Sequence, residues 1–274
     1  MRHAVAVIVL TIIALCHTSA QCNEQNMSMQ AGERVEYGAF YNWHFIWLKA
    51  GYITFAVDAA HDSNGDDVYR LSAVGGTYPS YDFFYKVRDT FLSVVDTLAL
   101  DPKYFRQVNY EGHNLTVNEY CFNGVDSLIT GTSFQTESKD TLIDKQLNMR
   151  WPAGSADLLT MVYKARNIDF ARYAEGDKIP ISMLVNDQVY NLYIRYLGRE
   201  TVTTRDKRTF RCLKFTPLLV AGTIFTGGED MTVWITDDDN RLPILVEAKV
   251  LIGSVKAIFI DAAGLRHPID AEVK

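Results

Sequence analysis

Hydrophobic and polar residues alternate along much of the chain, most regularly near its C-terminal end. From 231 to 236 every second residue is apolar, which is the repeat of a β-strand with two unlike faces. Residues 237–240, Asp-Asp-Asp-Asn, end this strand, because their short side chains bond nearby backbone groups and favour turns. Pro243 lacks an amide donor and therefore suits the start of the next strand. The apolar parity then shifts at Gly253, which predicts one long strand that bends or bulges there and curves.

The N-terminal part of the chain is also strand-like and is rich in aromatic residues. Between Glu33 and Ala59, two strands joined near Gly51 fit the pattern best. Large rings occupy one parity of this region, at Tyr37, Tyr41, Trp43, Phe45 and Trp47. Further strand-like runs lie at 68–74, 90–95, 104–111, 114–123, 127–134, 181–184, 188–199 and 208–219. Short strands separated by turn residues favour antiparallel pairing over βαβ units.

Residues 155–166 carry the clearest helical pattern. Ser155 is placed to cap the helix, and Asp157 suits its positive N-terminal end. The apolar residues share one face, at Leu158, Leu159, Val162 and Ala165. We therefore predict a mainly β protein with a strongly curved antiparallel sheet, a half-barrel or β-spiral of one or two lobes. One principal α-helix near 155–166 is expected to cover the open side of the sheet.

The first 20 residues predict a secretory signal peptide. Arg2 precedes an apolar stretch, and Thr18-Ser19-Ala20 offers small residues for cleavage. The stretch is too short to cross a bilayer as a membrane helix, so we expect no transmembrane segment in the mature chain. The expected location is periplasmic or secreted. A lipid anchor at Cys16 or Cys22 is the less favoured alternative.

The remaining chain divides by composition. We expect residues 21–31 to form a flexible leader, 32–262 a single β domain and 263–274 a C-terminal tail. Residues 136–152 are polar and predict a connection, so a bilobed domain would consist of lobes 32–135 and 155–262.

Charge argues against nucleic acid as a partner, and the cysteine content raises the question of a disulfide. The chain has 27 Lys and Arg against 33 Asp and Glu, a formal net charge of −6, and no basic patch that would bind nucleic acid. Cys121 and Cys212 both lie in strand-like runs. In an oxidising compartment this leaves two alternatives, a disulfide between them or, as the favoured one, two separately buried thiols.

Motifs of catalysis and cofactor binding are absent from the sequence. It has no Gly-x-Ser-x-Gly elbow, His-Glu-x-x-His, phosphate loop or dinucleotide fingerprint. The acidic stretch 61–67 lacks the closing glutamate of a calcium loop, and 237–240 is likewise interpreted as a solvated turn. We predict no catalytic residue, no metal site and no cofactor.

Several of these stretches resemble a known bacterial family. Trp234-Ile235-Thr236-Asp237-Asp238, Arg241-Leu242-Pro243 and Ile252-Gly253-Ser254 are similar to the C-terminal signature of the domain of unknown function 3108. Agreement continues upstream at Gly32-Glu33, 47–51, Asp89, 157–166 and 212–217, so the resemblance spans about residues 31–262. The family brings no activity to transfer.

Three functions fit the pattern. The first is a non-catalytic envelope protein that holds a lipid or other apolar ligand in its curved sheet. The second is a glycan-binding or envelope-scaffolding module, and the third is a glycan-acting hydrolase. A continuous apolar cavity would favour the first, flat exposed aromatic residues the second, and two carboxylates facing each other across a cleft the third.

Candidate ligand contacts follow from the aromatic stripe and the C-terminal signature. We predict Tyr41, Trp43, Trp47 and Trp234 as apolar or stacking surfaces. Arg241 is predicted to bind an anion, and a salt bridge with the adjacent acidic turn is the alternative.

Overall fold

The computed structural model describes residues 25–43, 46–83, 85–137, 140–186, 188–220, 227–249 and 253–273. Its first eight strands are β1 (Arg34–Trp43), β2 (Ile46–His61), β3 (Asp67–Thr77), β4 (Val87–Asp96), β5 (Pro102–Glu111), β6 (Asn114–Asn123), β7 (Leu128–Glu137) and β8 (Asp140–Arg150). The helix α1 (Leu158–Ala165) follows. The remaining strands are β9 (Lys178–Val185), β10 (Gln188–Thr203), β11 (Thr209–Pro217), β12 (Met231–Thr236), β13 (Pro243–Lys249), β14 (Ser254–Ala263) and β15 (Glu272–Val273). Short 3₁₀ turns lie at Pro79–Tyr81 and Phe170–Arg172.

The strands form a single antiparallel sheet built from two meanders. Its order is β8-β7-β6-β5-β4-β3-β2-β1-β14-β13-β12-β11-β10-β9, and β15 pairs with β11. The two meanders meet where β1 pairs with β14, for example at Tyr37 and Phe259. Among the described residues no ladder joins the edge strands β8 and β9, so the sheet is not closed into a barrel. The predicted mainly β fold, with one curved antiparallel sheet and one principal helix, is confirmed.

The helix α1 packs against both meanders. Leu159 and Tyr163 belong to a core cluster formed mainly by β2–β8, with Leu71 and Phe105 among its members. Met161, two residues from Leu159, belongs to a second cluster formed by β9–β12. Because one two-turn helix contacts both halves, the sheet must curve around it.

The helix begins at a different cap from the predicted one. The side chain of Asp157 accepts hydrogen bonds from the Thr160 amide (2.9 Å) and the Thr160 hydroxyl (2.6 Å), so Asp157 is the N-cap. Its Oδ1 also accepts from the Ser93 hydroxyl on β4 at 2.8 Å. Ser155 instead donates to the hydroxyl of Ser182 on β9 at 2.9 Å. The predicted Ser155 cap is wrong because tertiary contacts draw Ser155 to the edge strand.

We expect Asp157→Ala to lower the free energy of unfolding by about 2 kcal/mol, which combines a lost cap with donors left unpaired. Asp157 is completely buried, so water cannot replace its carboxylate beside Thr160 and Ser93. Urea unfolding followed by circular dichroism measures the change. The control, Asp261→Ala on an exposed position of β14, should change stability by less than about 0.5 kcal/mol. A comparably small loss for Asp157→Ala would contradict the assigned cap.

Two local predictions fail where a hairpin or a close backbone contact replaces the expected feature. The parity shift near Gly253 marks a hairpin, because Lys249 on β13 pairs with Ser254 on β14, so the predicted single strand is two strands. Residues 250–252 lie outside the described residues. Gly51 is not a turn residue either. It lies inside β2, where an added Cβ would sit 2.2 Å from the Gly76 carbonyl oxygen, so glycine permits the close approach of β2 and β3.

Two polar segments also differ from their predictions. Residues 140–150, predicted as a connection, form the edge strand β8. The described part of the predicted flexible leader is packed against the domain, with Met29 fully buried in the core. The Met27 amide donates to Asn167 Oδ1 at 2.8 Å, and the Asn26 amide donates to the Leu98 carbonyl at 2.6 Å. Composition does not indicate these contacts, because both polar side chains and backbone groups of the segment bond to backbone groups far away in sequence, such as Gln30 Nε2 to the Leu265 carbonyl at 3.0 Å.

Candidate ligand-binding cavity

The inner face of the sheet surrounds a cavity of about 930 Å³. Residues from both meanders and from α1 line it. Strand periodicity explains this arrangement, because every second side chain of each strand points to the same face. The volume lies in the range of roughly 300–1,000 Å³ that is usual for small-molecule sites.

One side of the cavity is apolar. We call it the apolar wall, and it is formed by strands β9–β14. Its residues include Met183, Leu192, Ile194, Phe215, Val233 and Val246. Several of them also belong to the core cluster around Met161, so the wall is continuous with packed core. A surface of this kind favours hydrocarbon over water.

The facing side is polar. We call it the polar wall, and it is formed by strands β4–β7. Its residues include Asp89, Gln107, Asn109, Glu111, Thr116 and Gln135. Phe91 and Phe105 continue the same faces of β4 and β5 and line the cavity as well. The cavity is therefore amphipathic.

Two carboxyl groups on the polar wall are perturbed by burial. Asp89 lies directly opposite Asn109 across β4 and β5, and Glu111 lies opposite Val87. Asp89 and Glu111 are therefore diagonal neighbours on one face, with Cα atoms roughly 7–8 Å apart. The pKa of Asp89 is raised to about 7, mainly by burial and also by the nearby charge of Glu111, while the hydrogen bond from the Tyr110 backbone amide acts in the opposite direction. Burial also raises the pKa of Glu111.

The polar wall also contains acceptors without donors. Among the described residues, Oδ1 of Asp89 and Oδ1 of Asn109 are buried and have no hydrogen-bond partner. An unpaired buried acceptor costs free energy that a ligand donor would recover. This wall is thus suited to a group that donates hydrogen bonds.

A buried ion pair lies at the C-terminal end of α1. Arg166 and Glu33, exposed by 4% and 1%, form a bidentate pair with N–O distances of 2.5 and 3.0 Å. Arg166 also donates from Nε to the Asn240 carbonyl and from Nη2 to the Ser28 carbonyl, each at 3.0 Å. Both charged residues line the cavity. Because the guanidinium is already committed, its role is to join α1, the N-terminal segment and the 237–240 turn.

Tyr163 lies beside this ion pair. It is 2% exposed and lines the cavity, and its hydroxyl has no hydrogen-bond partner in the described parts of the chain. Burial raises the pKa of this hydroxyl above its ordinary value, so it remains a neutral phenol. It can therefore donate one hydrogen bond and accept others.

Exposed apolar residues mark the mouth of the cavity. Tyr85, Leu142, Leu158 and Val162 line it and are 45%, 54%, 39% and 37% exposed. They come from the segment before β4, from β8 and from α1. The cavity thus opens beside the helix and the free edge of the sheet.

The residues predicted from sequence as ligand contacts lie elsewhere. Trp234 is 8% exposed, and its Nε1 donates to Glu200 at 3.0 Å. The Trp47 ring is partly exposed, with the Lys256 ammonium 4.4 Å from its centroid. Neither of them, nor Tyr41, lines the cavity. The side chain of Trp43 lies outside the described residues.

Arg241 is held by its own turn. Its Nε donates to the backbone carbonyl of Asp238 at 2.8 Å, and its Nη1 donates to the Ile168 carbonyl at 3.4 Å. The side-chain contact with the acidic turn therefore runs through a carbonyl oxygen, and the Arg241 backbone amide donates to Asp238 Oδ1 at 3.3 Å. Arg241 does not line the cavity either, and anion binding by this residue stays a prediction.

The two cysteines are separate. Cys121 is an exposed free thiol on β6, and Cys212 is a buried free thiol on β11. The disulfide considered from the sequence is not formed, since the two strands belong to different meanders. Burial raises the pKa of the Cys212 thiol to about 12, so it is unreactive at neutral pH.

The described part of the chain has neither a cluster of metal ligands nor a membrane-spanning helix. These residues contain no cluster of three or more His, Cys, Asp or Glu placed to hold a metal ion. None of their helices is both long and apolar enough to cross a membrane.

The unclosed antiparallel sheet and its internal cavity define a barrel-like β protein. Within that class, the chain belongs to the family described as "Protein of unknown function (DUF3108)", whose family model matches residues 35–260. The family resemblance predicted from the sequence is confirmed. No curated protein matches the chain in sequence.

Three solved structures are similar to the chain, and the first of them supports the fold. The beta-barrel-like protein of domain of unknown function DUF1849 from Brucella abortus has a TM-score of 0.51 and 9% identity, covering 86% of this chain and 98% of its own. A Bacteroides fragilis protein described as exported, with a YmcC-like fold, has a TM-score of 0.33 and 12% identity, with coverage of 88% and 99%. A Parabacteroides distasonis protein described as a lipoprotein has a TM-score of 0.30 and 10% identity, with coverage of 88% and 99%. At these identities the first likeness concerns the fold alone.

Proposed function

We propose that the protein binds a lipid or another apolar ligand in its internal cavity, as a non-catalytic protein of the bacterial cell envelope. The observation that carries this proposal is the apolar wall, which faces about 930 Å³ of internal space. Hydrocarbon that enters such a site leaves water, and each buried CH₂ contributes roughly 0.8 kcal/mol. The exposed apolar mouth provides an entry path for it.

The envelope location rests on the predicted signal peptide. The N-terminal charge, apolar stretch and small-residue cleavage site up to Ala20 favour export. These residues lie outside the described part of the chain.

The other two functions receive less support. A glycan platform needs flat, exposed rings, whereas Trp234 is buried and hydrogen-bonded. A glycosidase needs two carboxylates on either side of the scissile bond. Asp89 and Glu111 instead lie next to each other on one wall, on β4 and β5.

Native mass spectrometry of the mature protein, purified from its own envelope and followed by organic extraction, tests the proposal. We expect a bound apolar molecule that is released on unfolding. A protein that is recovered without ligand, and that binds no amphiphile when one is added, would contradict ligand binding.

A cavity-filling variant provides a second test. We expect Val246→Trp to weaken binding of a twelve-carbon alcohol at least about tenfold, because the indole fills space on the apolar wall. Isothermal titration calorimetry measures the affinity. Val74→Trp is the matched control, since Val74 is 40% exposed and does not line the cavity. Equal affinity in both variants would place the ligand outside the cavity.

A further inference from the structure

The polar wall specifies which head group the ligand carries. Resting on the proposed function, we propose that the cavity selects amphipathic ligands with a cationic head group that donates hydrogen bonds, such as a primary ammonium. Asp89 and Glu111 hold this head group, and the hydrocarbon chain lies along the apolar wall.

The first support is the imbalance of hydrogen-bonding groups. Asp89 and Asn109 lie opposite each other across β4 and β5, and the Oδ1 atom of each is a buried acceptor without a donor in the described chain. Glu111 adds a carboxylate on the same face. An ammonium group supplies three donors and no acceptor, so it complements this arrangement.

The second support is the imbalance of charge. Arg88, the neighbour of Asp89 in sequence, is held on Asp82 with an N–O distance of 2.7 Å. The Lys86 ammonium lies 5.4 Å from the centroid of the Tyr110 ring.

The cations of the neighbouring elements are also committed. Arg106 on β5 pairs with Glu119 on β6 at 4.0 Å, and Arg166 on α1 is bound bidentately by Glu33. Tyr85 faces the acid pair, and its pKa is raised by burial and by the charges of Glu111 and Asp89. Among the described residues, the cations of these elements form no ion pair with Asp89 or Glu111.

Tyr163 provides an independent indication of a ligand. Its hydroxyl is unpaired among the described residues, the side chain is 2% exposed, and it lines the same cavity from α1. A phenol accepts a hydrogen bond as readily as it donates one. It can therefore contact a polar substituent elsewhere on a ligand whose positive charge the acids hold.

An anionic head group does not fit this wall. A carboxylate or phosphate would face two acidic side chains, and like charges at such range repel. The buried Arg166 cannot compensate, because Glu33 already pairs with its charge and two backbone carbonyls accept further hydrogen bonds from it.

Three probes with the same chain length test the head group. Dodecylamine, dodecanol and dodecanoate, each below its critical micelle concentration, are titrated into the mature protein at pH 8 by calorimetry. We expect dodecylamine to bind at least about tenfold more tightly than dodecanoate, with dodecanol between them. In the double variant Asp89→Asn/Glu111→Gln the ratio should fall below about threefold. Glu119→Gln is the control, because Glu119 is half-exposed and lies off the cavity lining.

The pH dependence supplies a second readout. Between pH 5.5 and 8 the affinity for dodecylamine should rise as Asp89 loses its proton, and the Asp89→Asn variant should lose this dependence. The affinity for dodecanol should stay nearly constant.

The outcomes separate the two proposals. Dodecanoate or dodecanol binding as tightly as dodecylamine, unchanged in the double variant, would overturn the cationic head group and leave the apolar cavity standing. Failure of all three probes to bind would overturn the proposed function itself.

Discussion

Arg166→Met is expected to lower the free energy of unfolding by about 3–5 kcal/mol, because it leaves a carboxylate buried without its cation. Glu33 is 1% exposed, so water cannot take the place of the guanidinium. Methionine also cannot donate to the carbonyls of Ser28 and Asn240, each of which accepts a hydrogen bond from Arg166 at 3.0 Å. The variant therefore removes one link between α1, the N-terminal segment and the 237–240 turn.

Urea unfolding of the variant and of the double variant Glu33→Leu/Arg166→Met measures this effect. The double variant should lose about 1–2 kcal/mol less than the sum of the single losses, since no charge stays buried. Arg106→Met is the control, because its pair with Glu119 is half-exposed and should contribute less than about 1 kcal/mol. If Arg166→Met behaves like Arg106→Met, the buried pair does not stabilise the fold.

Asp89→Asn is expected to raise the free energy of unfolding by about 2 kcal/mol at pH 8 and to leave it nearly unchanged at pH 4. The pKa of Asp89 rises from 3.8 to about 7 in the folded protein, so the folded state binds more protons between these values. Stability should therefore fall as the pH rises from about 4 to about 7. A shift of three units corresponds to roughly 4 kcal/mol, and we reduce this by about half for partial exposure and coupling to Glu111.

Chemical unfolding of wild type and Asp89→Asn at both pH values tests this linkage. The test compares the difference in free energy of unfolding between the two proteins at each pH, because other carboxyl groups titrate in both proteins and cancel in this difference. Asp261→Asn, at an exposed position, serves as the control. A difference for Asp89→Asn that is the same at pH 4 and pH 8 would show that Asp89 titrates normally.

The sequence predicts strands well, because a strand that is buried on one face shows a two-residue repeat of apolar positions in its own sequence. In β6, Tyr120 and Phe122 are buried and alternate with the exposed residues Glu119, Cys121 and Asn123. Pairing between strands that are far apart in sequence leaves no such local pattern. Nothing in the sequence near Tyr37, for example, indicates that Phe259 lies opposite it. The cap of α1 shows the same limit. Ser155 and Asp157 are both suitable by residue type, and only the position of β4 and β9 decides between them.

The candidate site is harder to predict from the sequence than the fold. Aromatic residues are common in ligand sites and rings such as Trp234 are therefore natural candidates, yet this ring is packed and hydrogen-bonded. A usable signal lay in the strand parity. Asp89 shares its face with Phe91, and Asn109 shares its face with Phe105. Polar residues at inward positions of a curved sheet indicate either a satisfied core network or a cavity, and coordinates are needed to distinguish them.

The central pairing of β1 with β14 has a consequence for the order of folding. β2 to β8 can each pair with a neighbour as soon as it has been made, whereas one edge of β1 stays open until nearly the whole chain exists. Closing so long a loop is slow, because the entropy of the intervening chain is lost before the ladder forms. Assembly should therefore finish when the β13–β14 hairpin docks onto β1, and chains that stop before Ser254 should remain as two half-sheets without the ladder that joins them.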